Sequence, residues 1–202
     1  MAVRLIKFFA GLAMIQLGVA MFLAVGIGSD SFTVFIQGFS KVLHISVGAG
    51  NCLVTLGLLA IVFWLDRSQF GIGMVLAVAF AGLLLNGMVF LLGKVLPQNP
   101  SLPVMALEFA AACVTVSVGF PILKSAGLGV APNDALYLAL VTKTKKPYGV
   151  VRMSVDALYL VLGFFCGGVI GIGTLICVAV IGPMVQFMMK HLKVDKSLTD
   201  RK

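Results

Sequence analysis

Long apolar stretches, broken by short polar or glycine-rich segments, occupy almost the whole chain. Six of them approach the roughly 20 residues that an α-helix needs to cross a hydrocarbon core. They cover residues 5–28, 47–65, 70–93, 104–126, 150–168 and 170–190. Two further segments, residues 29–46 and 130–146, are too short and too charged to cross. Both open with helix-start chemistry. Ser29-Asp30-Ser31 offers capping oxygens, and Pro132-Asn133-Asp134 sets a proline and two capping side chains before Ala135. The pattern therefore predicts a short helix in each, lying along the interface or dipping into the membrane as a re-entrant element. Exposed non-helical backbone cannot face lipid, so the glycine-rich entry to each must be sheltered by protein or line a cavity.

The pattern also repeats. Gly26-Ile27-Gly28 returns as Gly127-Leu128-Gly129, and Ser46-Val47-Gly48 as Pro147-Tyr148-Gly149, both 101 residues on. Gly71-Ile72-Gly73 returns as Gly171-Ile172-Gly173, and Gly82 as Gly182, 100 residues on. One deletion between the two pairs reconciles the register. Each copy holds three spans, and an odd number forces the second copy to enter the bilayer upside down. The expected fold is an all-α integral membrane protein with six transmembrane helices. They form two inverted three-helix repeats, each with its short interfacial or re-entrant helix. The first repeat covers 1–95, an extracytoplasmic proline-rich linker 96–103, the second repeat 104–190 and a basic cytoplasmic tail 191–202. Pro121 is expected to kink the fourth span.

Composition strengthens this reading. Of 202 residues, 60% are apolar and 11% charged, against about 25% charged in soluble domains. With a cytoplasmic N-terminus, thirteen of the fifteen Lys and Arg residues fall on the inner side, leaving Lys41 and Lys94 outside. That is the positive-inside bias. The net charge of +8 then reflects orientation and attraction to anionic headgroups, and implies no nucleic-acid partner. The N-terminal stretch is longer than a signal-peptide core and matches the start of the second copy, so it is read as a retained span. Cys52, Cys113, Cys166 and Cys177 all fall in spans without a Cys-x-x-Cys pair, and with two histidines no metal or cofactor is implied.

Ionisable residues inside a bilayer are costly and tend to face an interior or an aqueous path. Arg152 and Asp156 share one face of the fifth span, and Tyr159, Gly163 and Gly167 continue that face. One reading is an ion pair that fixes the span, with glycines for close packing. The other is a polar site in which Arg152 meets an anionic group and Asp156 holds or relays a cation. Asp134 is either a helix cap or the border of a substrate path, with Asn133 beside it. In register, Asn51 and Thr55 of the first copy match Arg152 and Asp156, and Thr33 matches Asp134. The candidate substrate-binding set is thus Arg152, Asp156, Asp134, Asn133, Tyr159, Asn51 and Thr55. Gly127, Gly129, Gly163, Gly167, Gly171 and Gly173 are candidate hinge or packing positions. Glu108 reaches the interface near the outer end of the fourth span, and Asn86 and Gln16 are explained by interhelical hydrogen bonds.

The second copy carries a dense local pattern. It runs Gly127-Leu128-Gly129-Val130-Ala131-Pro132-Asn133-Asp134, then Arg152-Met153-Ser154-Val155-Asp156, then Gly163, Gly167-Gly168-Val169-Ile170-Gly171-Ile172-Gly173-Thr174 and Gly182-Pro183. It resembles the YczE/YitT group of bacterial inner-membrane proteins. The resemblance implies a compact multispan protein without an established activity, and supplies no catalytic residues. In the first copy Met74 stands where Thr174 stands in the second.

The chain holds no Gly-x-x-x-x-Gly-Lys-Ser/Thr loop, no His-Glu-x-x-His and no Gly-x-Ser-x-Gly, so it is expected not to be an enzyme. The leading expectation is a multi-pass transporter or permease of the bacterial inner membrane, with both termini cytoplasmic. It would move a small polar solute, anions included, by alternating access between inverted repeats. The alternative is a non-transporting assembly factor or partner-binding subunit, docking through Lys143, Lys145 and Lys146. Expected partners are the bilayer, a small-molecule solute, and a second copy or a membrane partner protein.

Overall fold

The computed structural model describes residues 1–96, 101–192 and 194. Parts of two expected segments lie outside the described residues: 97–100 of the linker, and 193 and 195–202 of the tail. The described chain is helical, with eight α-helices in the order α1 Ala2–Val25, α2 Ser31–Val42, α3 Val47–Leu65, α4 Ile72–Val95, α5 Leu102–Ser125, α6 Pro132–Thr144, α7 Tyr148–Phe165 and α8 Ile172–His191. A short 3₁₀ turn, Arg67–Gln69, follows α3. Six of these helices (α1, α3, α4, α5, α7 and α8) are long and apolar enough to cross a membrane. The protein is therefore a multispan membrane protein. The spans fall within a few residues of the apolar runs, and α2 and α6 occupy the two segments too short to cross. Pro121 lies inside α5, which continues to Ser125.

Helix starts follow local chemistry. Asp30 caps α2, its carboxylate accepting from the Thr33 backbone N–H at 3.0 Å and the Thr33 hydroxyl at 2.7 Å. α6 starts two residues earlier than capping by Asn133 requires, and three earlier than capping by Asp134. Pro132 is its first residue, so both side chains lie in the first turn. The end of α7 is a Schellman closure: Gly167 N–H donates to Phe164 O and Gly168 N–H to Gly163 O, with Gly167 at φ +83°. Gly167 thus ends the helix, whereas the Gly-x-x-x-Gly spacing had marked it for close packing.

The chain forms two compact units, residues 1–26, 71–131 and 183–202 in one and 27–70 and 132–182 in the other, with α8 passing from the second into the first. Each unit draws on both sequence copies.

In the first unit α1 packs along α5. A Cβ at Gly18 would lie 3.0 Å from Ala112 O, and one at Gly119 would lie 3.0 Å from Gly11 O. The early part of α1 meets the late part of α5 and vice versa, so the helices run antiparallel. Phe22 and Phe109 meet at 5.0 Å between ring centroids, and Phe8, Leu12, Phe120 and Leu123 complete the buried core. Arg4 Nε donates to Ala126 O at 2.9 Å, placing a cation on the end of α5. α4 lies on α1 through Gly73, Met74 and Ala77. Asn86 sits on the exposed side of α4 rather than in a helix–helix hydrogen bond.

In the second unit α2 packs on α7, running in the same direction. Ser31 reaches Asp156, a Cβ at Gly163 would lie 2.8 Å from Phe35 Cα, and Lys41 lies beside Gly167. α6 packs on α3, and Lys143 Nζ stands 5.5 Å over the Trp64 ring.

Residues one repeat apart share unusual backbone. Gly26 and Gly127 have φ of +69° and +63°, Gly28 and Gly129 +143° and +104°, and the non-glycine pair His44 and Lys145 +53° and +57°. The glycine runs exchange partners between copies. In the first unit Gly73 N–H donates to Leu128 O at 2.7 Å, and in the second Gly173 N–H donates to Ile27 O at 3.0 Å.

Candidate functional site

Three helix starts meet in the second unit. α7 opens after Pro147, and its first turns carry Tyr148, Arg152 and Asp156 at helical spacing on one face. The first turn of α2 brings Ser31, and the first two turns of α6 bring Asn133, Asp134 and Tyr137. Ser31, Tyr137, Tyr148, Asp156 and Tyr159 are all buried.

Asp156 is the hub. Its Oδ1 accepts from Ser31 Oγ at 2.8 Å and from Tyr137 Oη at 2.7 Å. Its Oδ2 lies 3.5 Å from Arg152 Nε, an ion pair one helical turn apart. Arg152 also donates to Tyr148 Oη at 3.0 Å, lies 4.0 Å from Asp134 Oδ1, and stands 5.1 Å over the Tyr137 ring. Asn133 Nδ2 donates to Tyr137 Oη at 3.3 Å. The positive end of α2 favours the Asp156 carboxylate, and that of α6 the Asp134 carboxylate in its own first turn. Tyr159, one turn further along α7, stacks on Phe35 at 5.3 Å and meets Phe32 at 5.4 Å.

Not every polar atom is satisfied. Asn133 Oδ1, Arg152 Nε and the Tyr159 hydroxyl are buried without a hydrogen-bond partner, Arg152 Nε meeting Asp156 through the ion pair alone. Burial pushes the Asp134 carboxyl up from its ordinary 3.8 to about 6, against the pull of Arg152, with Asp156 and Asp30 adding to the rise. Burial, and after it the Asp156 charge, also holds the Tyr137 hydroxyl well above its usual range. The cluster therefore sets a carboxyl raised to about 6 beside the Arg152–Asp156 ion pair.

Of the seven residues marked in the sequence, Arg152, Asp156, Asp134 and Asn133 come together. Tyr159 sits beside them on α7. Asn51 is exposed and Thr55 half-buried on α3, and no hydrogen bond joins either to the cluster among the described residues. The second-copy charges are completed by first-copy Ser31 at the start of α2. Ser31, Tyr137 and Tyr148 are members that sequence reasoning missed. Tyr148 lies four residues before Arg152, a helical spacing that marks it in the sequence. Ser31 is 125 residues from Asp156, and no periodicity along the chain brings them together. The glycines divide by role. Gly163 and Gly171 meet foreign backbone, Gly173 bonds Ile27, Gly129 faces Gly71 and Gly127 lies against Arg4.

A model of a family of unknown function, DUF6198, matches residues 2–190. An uncharacterized protein of Haemophilus influenzae is 25% identical over 179 residues, covering 88% of this chain and 79% of that protein. The uncharacterized protein YyaS of Bacillus subtilis is 26% identical over 179 residues, 89% of each chain. The uncharacterized membrane protein YczE of the same organism is 26% identical over 188 residues, 90% of this chain and 83% of its own. The resemblance to the YczE group is borne out. No solved structure matches the chain.

Proposed function

We propose that this chain, which belongs to DUF6198, a family of unknown function, is a membrane transporter for a small polar solute recognised at the Asp156 cluster. One observation carries the reading: a buried carboxylate–guanidinium pair held by the opening turns, the first of α2 and the second of α6, of two helices too short to span. A structural ion pair needs only its own helix. Here side chains from α2, α6 and α7 converge, and three buried polar atoms, Asn133 Oδ1, Arg152 Nε and the Tyr159 hydroxyl, are left to accept or donate. Helices that begin at membrane depth and aim their starts at a polar site are the device by which many carriers bind solute.

The repeat organisation supports the same reading. α1 and α5 are counterpart spans packed antiparallel, and their Gly18–Ala112 and Gly119–Gly11 approaches are related by the repeat offset. Left-handed residues recur one repeat apart. Two inverted repeats in the bacterial inner membrane, with Lys41 outside and Lys143 inside, account for these matches and for the lysine and arginine bias. Alternating access is the motion such repeats support. Both carboxylates flank Arg152, so the cluster favours an uncharged or cationic polar solute over an anion.

The test has two steps. Detergent-purified protein is screened by thermal shift against small polar metabolites, because a compound that binds only the folded state raises its stability. The stabilising compound is then followed in proteoliposome counterflow. Asp156→Asn and Arg152→Gln are expected to lower flux about thirtyfold, the factor that corresponds to about 2 kcal/mol for a buried charge that loses its partner. Glu108→Gln should transport normally. Undiminished flux in the first two variants removes the assignment of the site.

A further inference from the structure

Two carboxylates compete for one guanidinium. Asp156 holds the stronger position, with Arg152 Nε at 3.5 Å and hydroxyl donors at 2.8 and 2.7 Å. Asp134 has only a 4.0 Å approach to Arg152, and no hydrogen bond reaches its carboxylate among the described residues. Its side chain is 16% exposed. An anion so placed, with one long ion pair, is poorly compensated for the water it has lost.

The surroundings add to the imbalance. α7 faces Asp134 with Arg152, Asp156 and Tyr148, and Asp30 stands at the cap of α2. Its own helix supplies Asn133 and Tyr137. Asp134 and Asp156 thus share one arginine, with Asp30 adding negative charge beside Asp134. The charge of Asp30 is met locally by the Thr33 N–H and hydroxyl, and that of Asp156 by Arg152, leaving Asp134 as the excess anion. Its sequence neighbour Asn133 carries a buried acceptor, Oδ1, without a hydrogen-bond partner.

We propose that Asp134 is a proton-binding site, occupied while Arg152 is held by Asp156 and emptied when Arg152 swings to Asp134. The step is balanced: one solvent proton converts carboxylate to carboxylic acid, and the guanidinium keeps its charge throughout. Coupling of that proton to solute movement rests on the transport reading. Proton binding at Asp134 does not.

Infrared difference spectra of the full chain in lipid nanodiscs, titrated between about pH 4 and 8, test the site with the proton itself as probe. A carboxylic C=O band should titrate with a midpoint near 6 and vanish in Asp134→Asn. Asp156→Asn frees Arg152 for Asp134 and should lower the midpoint by about one unit or more. Arg152→Gln should raise it. The raised value also fixes the sign of a stability effect. The contribution of Asp134 is fullest below about pH 4 and is lost as pH rises through about 6, and Asp134→Asn removes that slope. A wild-type protein without the band, a band that survives Asp134→Asn, or a midpoint that rises in Asp156→Asn overturns the proposal. A titrating band in a protein that moves no solute keeps the proton site and rejects the carrier.

Discussion

Asp156→Ala is expected to destabilise the folded protein by about 3–5 kcal/mol, the usual cost of removing one partner from a buried ion pair. The loss has several parts. Arg152 remains buried with the Tyr148 hydroxyl, the Tyr137 ring and the distant Asp134 as its remaining partners among the described residues. The hydroxyls of Ser31 and Tyr137 lose their shared acceptor, and both residues are almost fully buried. Unfolding in mixed detergent micelles measures the effect. Asp156→Asn should cost less, because the amide oxygen still accepts one hydroxyl. The Asp156→Ala, Arg152→Met double variant should cost less than the two single changes added together, since the stranded charge disappears with its partner. A loss under about 1 kcal/mol for the single alanine would show that the cluster is wet and that its charges are solvated.

Gly71→Val and Gly171→Val are the other large expected losses. A Cβ at Gly71 would fall on the Leu128 carbonyl oxygen, and one at Gly171 on the Ile27 carbonyl oxygen. Neither neighbour is the movable end of a side chain. The segments must separate, and each then loses a backbone hydrogen bond, from Gly73 to Leu128 or from Gly173 to Ile27. Overpacking costs about 1–3 kcal/mol and the lost bond about 1 kcal/mol more, for a total near 3 kcal/mol. The two sites are equivalent by repeat and belong to different compact units. Similar losses in both variants, read as similar falls in melting temperature, are the expected result. Gly82→Ala is the control, because a Cβ there meets nothing within 4 Å. A Gly171→Val protein as stable as Gly82→Ala would remove the claim that these glycines join the two copies by close backbone approach.

The spans were legible because hydrocarbon imposes one strong rule: backbone polar groups must be bonded within the segment, and side chains must be apolar for about 20 residues. The third apolar run was expected over 70–93 and is helical over Ile72–Val95; the second matches Val47–Leu65 at both ends. The capping chemistry of Asp30 was equally local and equally readable. The charged face of α7 was visible as well, since Arg152 and Asp156 lie one turn apart on the same helix. Register alone did not supply the other side of the cluster. Asn51 and Thr55 match Arg152 and Asp156 in the repeat, yet no hydrogen bond joins them to the cluster among the described residues. A repeat relates equivalent positions by symmetry, and it does not place them against each other.

From its own order of residues the chain determines six spans, two short helices and a duplicated glycine pattern, because each depends on interactions within a few turns. Only the tertiary structure decides that the glycine runs trade partners between copies, and that Ser31 and Tyr137 close on Asp156. Those choices depend on which backbones approach closely enough to exclude a Cβ, and on where a buried carboxylate finds donors from helices more than a hundred residues apart.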